Sequence, residues 1–158
     1  WWGINTKYSS SLQFGSSFEN ESVVVDLDES KEVPWNTFGF SPYQWMYVDV
    51  SSIYTTSAIT FKIKAKELPK LQTFLFSYTG KKRILQKILN ESHFIDKENG
   101  MYEVYLPLKS LMGYREFRWD SLKEIRFKIL EGTQFEIGDF KLIEFRGNPK
   151  KPTEWKGI

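Results

Sequence analysis

Cysteine is absent from this 158-residue chain, and histidine occurs once, as His93. The first absence removes disulfide frameworks, thiolate catalysis and cysteine-based zinc sites. The second leaves almost no catalytic nitrogen, and His93, in NESHFID without a second His or a regular carboxylate spacing, reads as a lone surface residue. No apolar stretch approaches the roughly 18–20 residues of a membrane span. A formal charge of +2, from 22 basic and 20 acidic residues, creates no field suited to a polyanion, so nucleic acid and anionic membrane are poor partners. Glycine-rich phosphate loops, G-x-S-x-G elbows, H-E-x-x-H helices and internal repeats are also missing.

What the chain has is aromatic surface. Thirteen Phe, eight Tyr and six Trp make up 17% of it. Trp35, Tyr43, Trp45, Tyr47 and Trp119 stand beside Asn, Gln, Asp and Arg, in or next to turn-rich segments. Exposed flat rings ask for a flat ligand. Sugar rings present C–H-rich faces to indole and phenol, and their hydroxyls take hydrogen bonds from neighbouring polar groups, so the composition points to a binder before an enzyme. The length fits one domain with a real core. A start at Trp1 rather than Met suggests a piece of a longer precursor, and the abundance of Lys, Glu and Ile leans toward a thermophile.

Period-two alternation runs almost throughout. Ser57–Lys66 (SAITFKIKAK) sets Ile59, Phe61, Ile63 and Ala65 against Thr60, Lys62, Lys64 and Lys66, and Leu122–Glu131 (LKEIRFKILE) sets Ile125, Phe127 and Ile129 against Glu124, Arg126 and Lys128. Gln72–Tyr78 places Phe74, Phe76 and Tyr78 together. Glu21–Leu27, Gln44–Val50, Met101–Leu106 and Phe135–Phe145 complete seven or more strands, divided by turn signals such as Ser41–Pro42, Asn99–Gly100 and Glu131–Gly132. Lys81–Asn90 has helix spacing at Ile84, Leu85, Ile88 and Leu89 but is short and flanked by strands, which leaves a surface helix and an irregular strand both open. Apolar parity changes across Gly138–Asp139, as a bulge would make it. The expectation is an all-β fold, a β-sandwich jelly roll of two antiparallel sheets over residues 1–146, followed by a Pro- and Lys-rich linker or tail at 147–158.

The candidate ligand-binding residues follow from chemistry and parity. Trp35-Asn36, in a long loop, is either a stacking ring beside an amide or a lid closing the sandwich. Trp45, Tyr47 and Asp49 share one strand face, and Gln44, Met46, Val48 and Val50 the other, better core face. On a concave sheet the first set is a platform with Tyr43 nearby; the alternative buries the larger rings and turns Gln44 to water, and Asp49 also suits a cap on the Ser51–Ser52 turn. In REFRWDS, Trp119 is flanked by Arg115 and Arg118, and Arg126 lies on the polar face of the next strand; guanidinium forks suit sugar hydroxyls, and surface ion pairs are the bland alternative. Trp1, Trp2 and Trp155 stand near the ends and fit packing or linker roles.

The runs MYEVYLPLKSL, SLKEIRFKILEG and FEIGDFKLIEF, with the earlier YVDVSSIYTTSAITFKIKAK, resemble the strands of jelly-roll (galactose-binding-domain-like) carbohydrate-binding modules, and within these most nearly family 61 of β-1,4-galactanases. The resemblance covers most of residues 44–145. It implies a secreted, monomeric, non-catalytic module that holds a glycoside hydrolase domain of the same polypeptide on a β-linked plant polysaccharide, galactan first. It also implies one structural calcium ion with Asp139 as a ligand. The chain departs from the pattern at its start, where Trp1-Trp2-Gly3 replaces the acidic strand that completes that site. Two rival functions stay open. One is a small jelly-roll hydrolase or lyase using paired carboxylates, with Asp26/Asp28 and Glu136/Asp139 as candidates. The other is a structural sandwich that docks other domains.

Overall fold

Alternation becomes pairing in the computed structural model, which describes residues 12–19, 22–27, 37–41, 47–79, 81–113, 116–132 and 134–144. A six-stranded antiparallel sheet runs in the order β1 (Leu12–Phe14), β2 (Ser22–Asp26), β11 (Gln134–Glu144), β4 (Ser57–Lys64), β8 (Met101–Pro107), β7 (Phe94–Asp96). A five-stranded antiparallel sheet runs β3 (Thr37–Phe40), β10 (Leu122–Glu131), β5 (Lys70–Thr79), β6 (Lys81–Ile88), β9 (Met112–Gly113). Early strands lie beside late ones, β2 against β11 and β3 against β10. That closure distinguishes a jelly-roll sandwich from a meander.

The inner faces meet in an aromatic core. Phe38, Phe61 and Phe127 are fully buried, with ring centroids 5.5 Å apart for Phe38 and Phe127 and 5.2 Å for Phe61 and Phe127. Val23, Val25, Ile63, Leu71, Leu75, Leu106 and Ile137 pack around them. Truncating one such ring to alanine costs about 3–5 kcal/mol, a large share of a domain's stability.

Two segments resolve the sequence ambiguities. Lys81–Ile88 is a strand, in unbroken register with β5 from Gln72↔Ile88 to Thr79↔Lys81. Its helical spacing loses because cross-strand pairing buries Leu85, whereas a lone surface helix of that length has little to bury. Gln44–Val50 is not seen as a strand: within its described part only Val48 pairs, as an isolated bridge to Leu122, and 44–46 lie outside the described residues. The expected linker or tail at 147–158 also lies outside them.

The expected bulge is present, between Gly138↔Lys62 and Lys141↔Thr60. Its left-handed residue, however, is Asp139 at φ 54°, not Gly138. A short polar side chain tolerates that region better than most residues, and the extra residue turns Phe140 inward onto Phe40, at 4.2 Å. The Asn99–Gly100 turn is likewise confirmed: Gly100 has φ 72°, and a side chain there would meet the Ala65 carbonyl oxygen at 2.7 Å.

Candidate functional site

Strand parity leaves each sheet an outer face, and the two faces differ in chemistry. On the six-stranded sheet the outer face carries ion pairs beside a small apolar cluster of Ala58, Tyr105, Ile95 and Ile143. The Lys62 ammonium lies 2.7 Å from Asp139 Oδ2, Lys141 reaches the same carboxylate at 3.3 Å, and Lys97 lies 3.1 Å from Glu103. The Glu136 carboxylate accepts from the Ser22 hydroxyl and, at 3.0 Å, from the Ser17 amide, clasping the segment after β1 onto β11. Burial pushes the Glu136 carboxyl up, but the Ser17 and Ser22 hydrogen bonds and the Lys64 charge outweigh it and hold its pKa below the ordinary value.

On the five-stranded sheet the outer face mixes rings with polar forks. Ile125, Phe127 and Ile129 of β10 and Leu71 and Leu75 of β5 point inward and are buried. Glu124, Arg126 and Lys128, with Gln72, Phe74 and Phe76, take the opposite parity. The registers then align Gly39, Arg126, Phe74, Gln86 and Met112 in one row across all the strands of this sheet. Glu124, Phe76 and Ile84 form the adjacent row. Phe74 is thus flanked by a guanidinium on one strand and a carboxamide on the next, roughly 10 Å apart at ordinary strand spacing.

Arg126 is held from two sides. Its Nε and Nη2 donate to Glu124 Oε1 and Oε2 at 2.5 and 3.1 Å, and its guanidinium carbon lies 4.1 Å from the Phe76 ring centroid. Glu124 is only 5% exposed, although it sits on an outer face. A paired fork resting on a ring is a rigid donor, in contrast to a free arginine that must be ordered on binding. Gln86 is steadied too, its Oε1 accepting from Gln72 Nε2 at 3.2 Å.

The residues singled out from sequence fall into three groups. Trp35, Asn36, Tyr43, Trp45 and Arg115 lie outside the described residues. Tyr47 and Asp49 are exposed while Val50 is fully buried, so the parity read from sequence holds for residues 47–50. Tyr47 carries the Lys123 ammonium 5.4 Å from its ring, and Asp49 Oδ1 accepts from the Ser51 amide and hydroxyl at 2.9 and 2.7 Å, the turn cap that the sequence had left open. Those Ser51 hydrogen bonds hold the Asp49 carboxyl below its usual range. Trp119 and Arg126 fall on opposite sides of the question. Arg126 lies in the aromatic row, whereas the Trp119 indole stacks on Tyr54 at 4.6 Å and 9° and meets the edge of Phe117 at 4.7 Å, packed against the core. One Trp119 face is therefore already covered.

Sequence reasoning missed Phe74, Phe76, Gln86 and Glu124 as site residues. Phe74 and Phe76 were legible as sharing a face, but only the register with β10 shows that the face is the outer one and that Arg126 stands beside it. His93 serves locally: its Nδ1 accepts from the Asn90 amide at 3.1 Å, and burial, with the Lys87 charge, keeps its pKa below the usual value although the Asn90 carbonyl oxygen, 3.3 Å from the same nitrogen, raises it. The carboxylates proposed for hydrolysis are engaged elsewhere: Glu136 in the clasp, Asp139 with Lys62, and Asp26 accepting from Gln134 Nε2 at 3.0 Å; Asp28 lies outside the described residues.

The described surroundings of Asp139 do not fit a calcium ion. A hard cation needs about six to eight oxygen ligands. Here one carboxylate is shared by Lys62 and Lys141, and no group of three His, Cys, Asp or Glu residues suited to a metal occurs among the described residues.

No family model and no curated protein matches the sequence. Solved structures do. A crystal structure of a family 30 carbohydrate-binding module superposes with a TM-score of 0.66 at 15% identity, over 94% of this chain and 83% of that one. The family 30 module of the cellulosomal cellulase Cel9D-Cel44B of Clostridium thermocellum superposes with a TM-score of 0.61 at 15% identity, over 85% and 82%. What these likenesses show is the fold, a β-sandwich of two antiparallel sheets. It is similar as well to part of a larger protein, PfGH50B, with a TM-score of 0.53 at 15% identity, over 92% of this chain and 23% of that one. The narrower family 61 resemblance draws no support from these likenesses.

Proposed function

We propose that this chain is a non-catalytic carbohydrate-binding module that uses the outer face of its five-stranded sheet to hold a β-linked plant polysaccharide. The observation that carries this reading is the row Arg126–Phe74–Gln86, an aromatic side chain between two steadied polar groups. The apolar face of a pyranose lies over Phe74, and its equatorial hydroxyls reach toward the guanidinium and the carboxamide. Tyr47 is a further exposed ring, with galactan the ligand suggested by the sequence resemblance and β-1,4-glucan the one suggested by the cellulase neighbour. The module acts by avidity: secreted as a monomeric unit with a glycoside hydrolase domain in the same polypeptide, it raises that domain's effective concentration at the substrate.

Isothermal titration with galactan and β-1,4-glucan oligosaccharides tests the reading. Phe74→Ala should weaken binding about 30-fold, the loss of a roughly 2 kcal/mol hot spot, with the melting temperature little changed. Heat from neither oligosaccharide series, or undiminished affinity in Phe74→Ala, would sink it.

A further inference from the structure

We infer that Glu124 is a specificity-determining residue of this face: by occupying the Arg126 fork it makes the site accept neutral glycans and reject carboxylate-bearing ones. The inference rests on the carbohydrate-binding reading above. A solitary arginine beside an aromatic floor would select acidic sugars, because its planar fork matches a carboxylate with two parallel hydrogen bonds. Here that fork already grips a carboxylate supplied two residues earlier on the same strand, at 2.5 and 3.1 Å. The Phe76 ring, 4.1 Å from the guanidinium carbon, fixes the arrangement from below.

A uronate approaching Phe74 meets one of two penalties. It displaces Glu124 and strands a nearly buried charge, or it settles beside Glu124 as a like charge in poorly screened surroundings. A neutral sugar meets neither, since a compensated ion pair presents no net charge. The described cations nearby do not reverse this. Lys128 is exposed and open to salt screening, and Lys123 is engaged over the Tyr47 ring. Specificity built from a repulsive element of this kind leaves the favourable contacts to the neutral ligand untouched.

The test compares one β-linked oligosaccharide with the same oligosaccharide after oxidation of its primary hydroxyls to carboxylates, titrated by calorimetry at about 0.15 M salt. The wild type should bind the neutral member at least about tenfold more tightly. Glu124→Gln should shrink that ratio by about tenfold or more. Arg126→Gln, which leaves Glu124 uncompensated, should widen it and decides the matter if Glu124→Gln fails to fold. Equal or tighter wild-type binding of the oxidised member, an unchanged ratio in Glu124→Gln, or a narrowed one in Arg126→Gln overturns the role of Glu124 and leaves carbohydrate binding standing. Wild-type silence toward both members overturns the carbohydrate reading itself, and this inference with it.

Discussion

Replacing Asp139 should expose how much the bulge of β11 depends on one carboxylate. Its side chain is 1% exposed, is 2.7 Å from the Lys62 ammonium, and belongs to a residue at φ 54°. Removing one partner of a buried ion pair typically costs about 3–5 kcal/mol. The Lys62 side chain keeps 35% of its surface in water and can resolvate, so Asp139→Asn, which preserves shape and tolerates the left-handed backbone, should cost only about 1–2 kcal/mol. Asp139→Ala adds an alanine in the left-handed region, worth about 1 kcal/mol more. At roughly 3 °C per kcal/mol for a domain of this size, melting should fall by about 3–6 °C for Asn and about 6–9 °C for Ala. The Asp139 hydrogen bond raises the Lys62 pKa above 10.5, with burial opposing it. The stability from this pair is therefore complete below pH 10.5 and is lost as pH rises through the higher folded value. Thermal melts of the three proteins, with and without excess chelator, decide the matter. A loss below about 0.5 kcal/mol in Asp139→Asn would refute the ion-pair account. A chelator-sensitive wild-type melt would instead restore the calcium reading of Asp139.

Two further expectations follow from the packing. Trp119→Ala should lower the melting temperature by about 6–9 °C, because the indole is stacked on Tyr54 and only partly buried, so roughly 2–3 kcal/mol is at stake. Affinity per folded molecule should stay within about threefold of wild type, and a variant that melts normally but binds no sugar would return Trp119 to the ligand site. Glu136→Gln should flatten the acid limb of the stability curve. The depressed Glu136 pKa contributes stability that is present above 4.5 and is lost as pH falls through the lower folded value, so parallel melting-versus-pH curves for the two proteins below 4.5 would contradict the clasp.

The strands were legible wherever one face is apolar and the other charged. LKEIRFKILE became β10 with the expected boundaries, and the parity change at Gly138–Asp139 became the bulge. Legibility failed where both faces carry similar residues. In β6 the pattern KKRILQKI offers apolar side chains to both a helix stripe and two strand faces, and only pairing with β5 decides between them. The binding face failed for a related reason. On β5, Phe74 and Phe76 are larger and more apolar than the inward Thr73 and Ser77, so local hydrophobicity alone points the wrong face at the core. Which set is buried is settled by Leu71 and Leu75 meeting Ile129 and Ile125 across the register, a fact about two distant segments. Trp119 misled in the opposite sense: its charged neighbours suggested exposure, while Arg118 and Asp120 pair with each other and leave the indole to Tyr54.

The division between the two outer faces has a physical basis in the period of the strand. Successive side chains leave opposite sides of a sheet, so β10 contributes Phe127 to the aromatic core while Arg126 and Glu124, one and three residues before it, build the outer face. Changes confined to the outer parity alter a surface without opening a cavity, and the interior stays close-packed against them. The six-stranded sheet uses that freedom for pinning. Its outer ion pairs and the Glu136 clasp tie β4, β2 and the chain after β1 to β11, where charge buys alignment of segments far apart in sequence. The five-stranded sheet uses the same freedom differently. It places a half-buried Phe74 and a partnered guanidinium outside the core, and an aromatic ring beside fixed polar groups on an outer sheet face is better explained by a ligand than by folding.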